Sequence, residues 1–341
     1  MPPRPTQLDI ARKAGLSRPT VSLALNGSPT ISAKTRAYVR RIANELGYQP
    51  DPMLSALSRY RNSNKTKDYR GMLAWISYSP KTFPWHWITP YAAYHAGAVK
   101  RAHDLGFDIE TFDLKQQRLS PKRLAGILET RGIRGMLVCP PSEMDASYRF
   151  PVEHQAFVTF GYSVQTPVMH RVTASHYRAT KTAFARLIDA GCRRIGFIGS
   201  RQVNIKTQDL VLSAYLSACH NQKLDIIPPL IDDPITPEAI LAWHRRHRPD
   251  AVIITSPIWP AMEETGIAIP GELCVVSPMV PRHFPELTGV MEKSEQIGVA
   301  AVDTLLQLIQ HDDQGVPEHP RNILIEGEWN EGSTVRPVTV A

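Results

Sequence analysis

The 341-residue sequence lacks the features that mark several large classes of protein. It contains no run of about 18 apolar residues, so no segment has the form of a membrane-spanning helix. Its first residues, MPPRPTQLDIARKAG, hold no apolar stretch of signal-peptide length, and we therefore expect a cytoplasmic protein. The four cysteines, Cys139, Cys192, Cys219 and Cys274, are scattered. Their spacing fits neither a metal site nor a disulfide framework, so we expect reduced, mostly buried thiols.

Recognisable catalytic motifs are also missing. The sequence has no GxxxxGK[ST], no GxGxxG after a strand, no GxSxG and no HExxH. In WHRRHR, the spacing of His244 and His247 would allow both side chains to bind one metal ion, but the neighbouring arginines would repel a cation. Glu263 and Glu264 are adjacent and would diverge on a helix. We therefore predict no enzyme, no cofactor and no metal site.

What the sequence does have is a strongly uneven charge. Residues 1–70 hold 13 of the 39 Lys and Arg residues but only 4 of the 32 Asp and Glu residues. The other 271 residues carry 26 bases and 28 acids, so the whole positive excess lies in the first fifth of the chain. Nucleic acid is the natural partner of such a segment. The alternative is a basic, solvated helical face that has no partner.

The first fifty residues predict three short helices. Each predicted helix is flanked by residues that favour a helix start or end. Thr6 precedes and Gly15 follows 7–14, Ser17 precedes 18–26, and Ser32 precedes and Gly47 follows the third helix. Val21, Ala24 and Leu25 face inward, which leaves Arg18, Thr20, Ser22 and Leu23 partly outside. Small hydroxyl groups and helix N-termini bind phosphates, and long side chains at the start of a second helix reach base edges. The pattern is that of a helix-turn-helix.

A further helix is predicted directly after this unit. In YQPDPMLSALSRYR, Asp51 and Pro52 favour a helix start, and the polar, basic stretch RNSNKTKDYRG follows. A short helix with an exposed leucine, attached to a DNA-binding unit, suits a wedge in the minor groove. A linker helix that docks on the next domain is the alternative.

These segments resemble the LacI/GalR family of transcription factors in LDIARKAGLSRPTVSLALNG, ISAKTRAYVRRIANELGYQP and the hinge DPMLSALSRYR. The resemblance implies phosphate contacts at Thr6, Ser17, Ser22, Asn26, Ser32 and Thr35. It implies base reading around Arg18, Pro19, Thr20 and Leu23, and an intercalating leucine at Leu57. The sequence departs from the family at Leu54 (usually Ala) and at Ser55 (often Arg). Pro19 cannot donate a side-chain hydrogen bond, so readout there depends on shape or on a thymine methyl group.

The remainder alternates short apolar runs with helical segments. GMLAWISYS, FDIETFDL, GMLVCP, AFVTFGY, RIGFIGS, DAVIITS and LCVVSPMV read as buried strands, with amphipathic helices between several of them. This alternation predicts parallel sheets flanked by helices, and about 270 residues fit two lobes. We therefore predict an α/β fold with two lobes behind a small all-α head, with the ligand site at the carboxyl ends of the strands.

The resemblance extends to this region and implies a periplasmic-binding-protein-like effector domain. It places a DNA-binding domain at 1–50, the hinge and linker at 51–70, and the effector and dimerisation domain at 71–341. The chain is expected to cross between lobes near 168–172, 289–294 and 321–324. The first lobe would comprise about 71–170 and 292–322, and the second about 171–291 and 323–341.

The predicted effector site departs most from the family. Where sugar-sensing members carry acids, an arginine and an amide, the aligned positions hold Gly161, Gln208, Ser256 and Met279, with Glu292 where glutamine is frequent. Nearby loops contribute the aromatic residues Trp85, Trp87, Tyr91, Tyr162 and Trp259. These rings would stack on a sugar, a sugar derivative or another flat ligand, or else pack in the core or at a dimer seam. Effector identity is not readable.

The sequence thus predicts a homodimeric, effector-controlled transcription regulator, a repressor by family habit, that binds a palindromic DNA operator. The C-terminal GEWNEGSTVRPVTVA has no leucine heptad, so we expect a dimer rather than a tetramer. Two alternatives come from other classes. One is a ligand-binding enzyme fused to a DNA-binding head. The other is a transport-type binding protein, which would need a signal peptide and would have no basic head.

Overall fold

The computed structural model describes residues 5–25, 31–48, 71–141, 154–164 and 166–337. These residues form a small all-helical head and two α/β lobes, each built on one six-stranded sheet. The predicted fold class is confirmed. No helix within the described ranges is both long enough and apolar enough to cross a membrane.

The head consists of three helices: α1 (Gln7–Ala14), α2 (Arg18–Leu25) and α3 (Ala33–Glu45). Their bounds follow the predicted caps, because Thr6 and Ser32 each accept a hydrogen bond from a first-turn amide. Gly15 ends α1 with φ 66°, a conformation that costs glycine little. Ile10, Val21 and Val39, one from each helix, are fully buried in the small core that holds the head together.

The first lobe is a parallel sheet in the order β2-β1-β3-β4-β5-β11. Its strands are β1 (Gly71–Ser77), β2 (Phe107–Asp113), β3 (Gly135–Val138), β4 (Ala156–Phe160), β5 (His170–Ala174) and β11 (Asn322–Ile325). Its helices are α4 (Thr89–Asp104), α5 (Pro121–Thr130) and α11 (Ser294–His311), with a 3₁₀ turn at Trp85–Trp87. Nearly continuous apolar strands, buried on both faces, are what such a sheet requires.

The second lobe repeats this plan in the order β7-β6-β8-β9-β10-β12, with only β12 antiparallel. Its strands are β6 (Ile195–Ser200), β7 (Leu230–Asp232), β8 (Ala251–Ile254), β9 (Cys274–Val280), β10 (Gly289–Met291) and β12 (Glu328–Asn330). Its helices are α6 (His176–Asp189), α7 (Arg201–Lys206), α8 (Leu210–Asn221), α9 (Pro237–His247) and α10 (Trp259–Glu263), with a 3₁₀ turn at Ser256–Ile258.

The chain passes between the two sheets three times. Strand pairing moves two of these passages a few residues beyond the predicted positions. β5 continues to Ala174 and pairs with β11 as far as Ile325, so the first and third passages follow these residues rather than 168–172 and 321–324. The middle passage joins β10 to α11 within the expected 289–294.

Helices α4 and α11 pack with their backbones in near contact. A Cβ atom on Gly97 would lie 2.0 Å from the carbonyl oxygen of Glu295, and one on Gly298 would lie 2.0 Å from that of Tyr94. Only glycine permits so close an approach. This contact holds α4, near the start of the first lobe's chain, against α11, near its end.

The head is joined to the first lobe by an ion pair. Arg40 of α3 contacts the carboxylate of Asp312, which follows α11, and Arg134 contacts the same carboxylate. The two guanidinium groups hold the pKa of Asp312 below its ordinary value, with Arg40 the larger cause.

Candidate nucleic-acid interface and ligand cleft

Helix α2 presents the surface expected of a reading helix. Arg18 and Pro19 in its first turn are exposed, and Leu23, one turn further on, is 43% exposed. Thr20 and Ser22 are half-buried beside them. Val21 and Ala24 on the opposite face are buried against α1 and α3, as predicted. The exposed first turn of α2 is thus held on a packed base, which suits contact with another molecule.

Three of the predicted phosphate-contacting hydroxyl groups, those of Thr6, Ser17 and Ser32, lie directly before helix N-termini, whereas Ser22 lies inside α2. Ser17 Oγ accepts from Thr20 N at 3.2 Å, and Ser32 Oγ accepts from Thr35 N at 3.1 Å. Thr6 Oγ1 accepts from Asp9 N at 3.4 Å and donates to the Asp9 carboxylate at 2.7 Å. Those hydrogen bonds lower the pKa of Asp9. Each hydroxyl therefore marks a helix end whose amide groups favour an anion.

Two predicted DNA contacts lie outside the described residues. They are Asn26 and Leu57, and their assignment rests on the sequence resemblance alone.

The carboxyl edge of the first sheet is organised by Asp113 at the end of β2. Its Oδ2 accepts from Ser77 Oγ at 2.9 Å and from Ser79 Oγ at 2.6 Å. Its Oδ1 accepts from the backbone amides of Lys115 and Gln116. Sequence analysis did not single out this aspartate, although its place at the end of an apolar strand is a usable signal. The carboxylate fixes the loops after β1 and β2 where they face the expected ligand site.

Glu292 lies on the middle passage between the lobes and influences titratable groups of both. Its Oε1 accepts from Ser294 Oγ at 2.8 Å, and its carboxylate is hydrogen-bonded to Tyr94 of α4. It also lies close enough to Tyr91 and to His176, the first residue of α6, to affect their pKa values. Burial raises the pKa of both tyrosines and lowers that of His176. The structure thus brings the predicted residues Glu292 and Tyr91 together.

Sequence analysis missed Tyr94 and His176 in this cluster. Tyr94 lies three residues after Tyr91 and therefore on the same face of α4, a spacing that could have indicated it. Glu292 affects the pKa of His176 only because the passages between the lobes bring the two residues near each other, and no local pattern predicts that arrangement.

The predicted aromatic residues separate into two kinds. Trp85 is buried in the first lobe's core, with its ring centroid 5.3 Å from that of Trp75, and Trp259 is buried in the second lobe's core. Trp259 Nε1 donates to Glu286 Oε1 at 3.0 Å. Trp87, by contrast, is 63% exposed. Tyr162, after β4, is buried with the Arg171 guanidinium 4.8 Å from its ring centroid.

The predicted polar positions follow strand ends of both lobes. Gly161 takes φ 60° directly after β4, and Gln208 is exposed with φ 52° after α7. Ser256 opens the turn after β8, and half-buried Met279 lies near the end of β9. Asn204, also missed by sequence analysis, is buried beside the end of β6, and its Oδ1 has no hydrogen-bond partner in the described part of the chain.

The two histidines of WHRRHR contact different neighbours. His244 Nε2 lies 3.8 Å from Glu272 Oε1, and the His247 ring lies 5.6 Å from that of Trp243. Among the described residues, no three His, Cys, Asp or Glu side chains are placed so that they could hold a metal ion.

Comparison with known protein families gives two matches. Residues 6–51 match the family described as bacterial regulatory proteins, lacI family, and residues 184–335 match a periplasmic binding protein-like domain. Together the two matches span more than half of the chain. The first covers the head and the second covers most of the second lobe with the α11 passage.

Relatives match over almost the full length. The ribose operon repressor of Haemophilus influenzae is 26% identical and the match covers 94% of this chain and 96% of that protein. The repressor PurR of Proteus mirabilis is also 26% identical, with 92% and 94% covered. Catabolite control protein A of Staphylococcus epidermidis is 24% identical, with 94% and 96% covered.

Solved structures show the same fold. A complex of the transcriptional regulator CelR with cellobiose superposes with a TM-score of 0.56 at 21% identity, covering 97% of this chain and 100% of that one. The lac repressor dimer bound to operator and the anti-inducer ONPF gives 0.56 at 19% identity, covering 97% and 99%. With the capped head, the two parallel sheets and the family matches, these likenesses lead to one conclusion: the chain joins a head domain of the lacI family of bacterial regulatory proteins to a periplasmic binding protein-like domain.

Proposed function

We propose that this protein is a sequence-specific DNA-binding transcription repressor controlled by a small molecule bound between its lobes. One observation carries the proposal: α2 exposes Arg18, Pro19 and Leu23 on a packed three-helix base. The net positive charge of the first 70 residues supplies the attraction to a polyanion. The α/β lobes of a lacI family regulator supply the ligand-responsive part.

The proposed DNA complex is symmetric. Two copies of the chain place their α2 helices in successive major grooves of a palindromic operator, with half-sites about one helical turn or a multiple apart. Leu57 from each copy enters the minor groove at the operator centre. The Leu57 contact rests on the sequence resemblance. The homodimer rests on the family match and on the similar lac repressor dimer.

Replacement of Arg18 tests the reading role of α2. We expect Arg18→Ala to relax base preference at one symmetric position in each half-site, by about 1–3 kcal/mol if Arg18 makes a bidentate base contact. Lys122→Ala, which removes an exposed charge from α5, is the matched control and should leave specificity unchanged. Affinities measured for a set of single-base operator variants at fixed salt give the answer. A uniform loss across all of them would assign Arg18 to a phosphate.

Replacement of Leu57 tests the wedge. Leu57→Ala should weaken operator binding by at least an order of magnitude more than binding to unrelated duplex, because only the specific complex contains the bent operator centre. Gel-shift titrations with both duplexes measure this ratio. Equal losses on the two would remove the wedge from the proposal.

The proposed effector site lies where the carboxyl ends of the two sheets face each other. Glu292, Tyr91 and His176 contribute from the passages and helix starts, and Trp87 and Gln208 offer exposed side chains near it. Asn204 Oδ1 is a buried acceptor suited to a ligand hydroxyl or amino group. Aromatic rings with a few hydrogen-bonding groups favour a sugar, a sugar derivative or a flat polar ligand.

A ligand-induced change in the angle between lobes would alter the separation of the two heads and so the fraction of molecules able to bind the operator. Screening metabolites for release or tightening of the operator complex identifies the effector and its sign. Glu292→Gln should reduce the response to that effector, whereas Lys293→Gln, a neighbouring exposed position, should not.

An enzyme fused to a DNA-binding head is the second candidate class. The resemblance to regulators over more than nine-tenths of the chain favours the first. Incubating the full chain with metabolites that shift its melting temperature separates the two, because a regulator returns its ligand unchanged and an enzyme releases product.

A further inference from the structure

Two cysteines lie side by side at the edge of the second sheet that faces away from the proposed effector site. Cys192 lies between α6 and β6, and Cys274 is the first residue of β9, so both belong to the edge where strands begin. Both are fully buried thiols, and both belong to the same apolar cluster in the core of the second lobe. They are 82 positions apart in the sequence, so spacing alone did not pair them.

A single arginine contacts both sulfur atoms. Arg336 Nη2 lies 3.6 Å from Cys192 Sγ, and the Arg336 backbone N–H donates to Cys274 Sγ at 3.5 Å. The Arg336 side chain is half-buried, so it reaches from the thiols to the surface. This arginine is positioned to stabilise a thiolate.

The hydrogen-bond pattern assigns different roles to the two sulfur atoms. The neighbouring Cys192 thiol, followed by the Arg336 backbone and guanidinium, lowers the pKa of Cys274 below its ordinary value, against the opposing effects of burial and of Asp250. The same interaction raises the pKa of Cys192, which holds its proton. Cys274 is the nucleophile of the pair and Cys192 is the thiol placed to resolve its oxidised form.

We propose that Cys192 and Cys274 are a reversible oxidation site that a peroxide converts into an intramolecular disulfide. The Cys274 thiolate attacks one oxygen of hydrogen peroxide, the O–O bond breaks, and Cys274 becomes a sulfenic acid. The hydroxide that leaves takes up the proton that the Cys274 thiol had released and so becomes the first water. The Cys192 sulfur then attacks the Cys274 sulfur, the S–O bond breaks, and a second water leaves with the Cys192 proton. In total two thiols are oxidised, one peroxide is reduced to two waters, and an added dithiol reverses the change.

The disulfide would alter how the C-terminal segment is held. Residues of that segment cross β9, where Val275 N donates to Thr334 O and Thr334 Oγ1 donates to Val275 O at 2.6 Å. Oxidation removes the negative sulfur that Arg336 faces and ties the end of α6 to the start of β9. Since α6 begins at His176 beside Glu292, the bond would stiffen an element that reaches the passages between lobes.

The direct test uses the full-length wild-type protein. It is treated with a modest excess of hydrogen peroxide, unfolded, and labelled with a maleimide to count the remaining thiols. We expect two of the four cysteines to be protected, a peptide that joins Cys192 to Cys274, and recovery of all four thiols after dithiothreitol. Four reactive thiols after treatment, or protection that maps to Cys139, Cys219 or a bond between two chains, would overturn the proposal.

Variants test the two assigned roles. In Cys192→Ala, a sulfenic acid trapped by dimedone should accumulate on Cys274, whereas Cys274→Ala should give neither a trapped sulfenic acid at Cys192 nor a disulfide. Cys219→Ala is the matched control and should form the disulfide as the wild type does. A trapped product on Cys192 would reverse the assignment.

The rate of oxidation gives a separate readout. Because the lowered pKa of Cys274 keeps part of this thiol ionised below pH 7, the wild-type rate should fall by much less than about a hundredfold between pH 7 and pH 5. An ordinary thiol would lose about a hundredfold. Arg336→Gln should slow the reaction at pH 6 and leave the melting temperature of the reduced protein nearly unchanged. A hundredfold pH dependence in the wild type would contradict the role of Arg336 and Cys192 in activating Cys274.

Discussion

At the scale of single residues, the head depends on hydroxyl groups that serve two purposes. Thr6 and Ser32 cap the N-termini of α1 and α3 by accepting amide hydrogen bonds, and the same residues are proposed phosphate contacts. An operator contact can therefore be lost through a frayed helix as well as through a missing hydrogen bond to DNA. Stability and binding must be measured separately for each substitution.

Thr6→Ala should destabilise α1. It removes the capping box with Asp9, a loss of about 1 kcal/mol for an N-cap hydroxyl. Hydrogen exchange of the α1 amides should accelerate about fivefold where local opening governs exchange. Thr6→Ser keeps the oxygen and should exchange as the wild type does. Equal acceleration in both variants would show that the threonine methyl group, rather than the cap, stabilises α1.

Two of the candidate tryptophans, Trp85 and Trp259, are buried in the cores, and the sequence alone did not decide between core packing and ligand stacking. Trp259 was a candidate for ligand stacking, yet it lies in the second lobe's core and donates to Glu286. Trp259→Phe should therefore lower the free energy of unfolding by about 1–2 kcal/mol, since it removes buried volume and leaves Glu286 without that donor. Urea unfolding measures the change. An unaltered midpoint together with a lost effector response would return Trp259 to the ligand site.

At the scale of elements, α4 and α11 form the contact on which the ligand cleft depends. Both helices begin beside the Tyr91–Tyr94–Glu292 cluster, and their backbones touch at Gly97 and Gly298. Displacing either helix would move the tyrosines and the carboxylate together. The pair therefore links core packing to the geometry of the site.

Gly298→Ala should destabilise the first lobe by about 2 kcal/mol or more, because the new methyl group would overlap the Tyr94 carbonyl oxygen. Gly126→Ala is the matched control. Gly126 lies inside α5 with nothing within 4 Å of an added Cβ, so the substitution should stabilise the protein by about 0.5–1 kcal/mol. Thermal unfolding of both variants tests the pair. If Gly126→Ala destabilised the protein by the same amount, the close approach of Gly298 to the Tyr94 carbonyl oxygen would not explain the effect of Gly298→Ala.

Elements whose ends are set by neighbouring residues were predictable, and those set by distant pairing were not. The sequence predicted the head helices almost to the residue, because Thr6, Gly15, Ser17 and Ser32 act locally. Most central strands were found from their apolar runs. The strands β5, β7, β10 and β12 were not named as strands, because none of them contains four consecutive apolar residues and each is defined by its pairing partner. The positions of the passages between lobes, and the influence of Glu292 on His176, follow from the same distant pairing.

At the scale of the whole molecule, the head and the first lobe meet through Asp312. Arg40 lowers the pKa of this carboxyl group below its ordinary value of 3.8. The ion pair therefore contributes fully above that value and is lost as the pH falls through the lowered pKa. Salt should weaken it, since both partners are partly exposed.

Asp312→Asn should loosen the head at neutral pH. Small-angle X-ray scattering is expected to give a larger radius of gyration for Asp312→Asn than for the wild type at pH 7. The wild type should approach the variant's value only below about pH 4. Asp313→Asn changes the same charge at the neighbouring position, which faces His170, and serves as control. Identical scattering from all three proteins at pH 7 would contradict a head held by Asp312.

The central claim is that two copies of this chain read a palindrome. Its most direct test is the selection of random duplexes by the purified full-length protein at near-physiological salt. It should be run with and without a pool of cell metabolites, because an effector can be required for binding. We expect an enriched palindrome whose half-sites lie about one helical turn or a multiple apart. A single asymmetric site, or no enriched sequence in either arm, would contradict it.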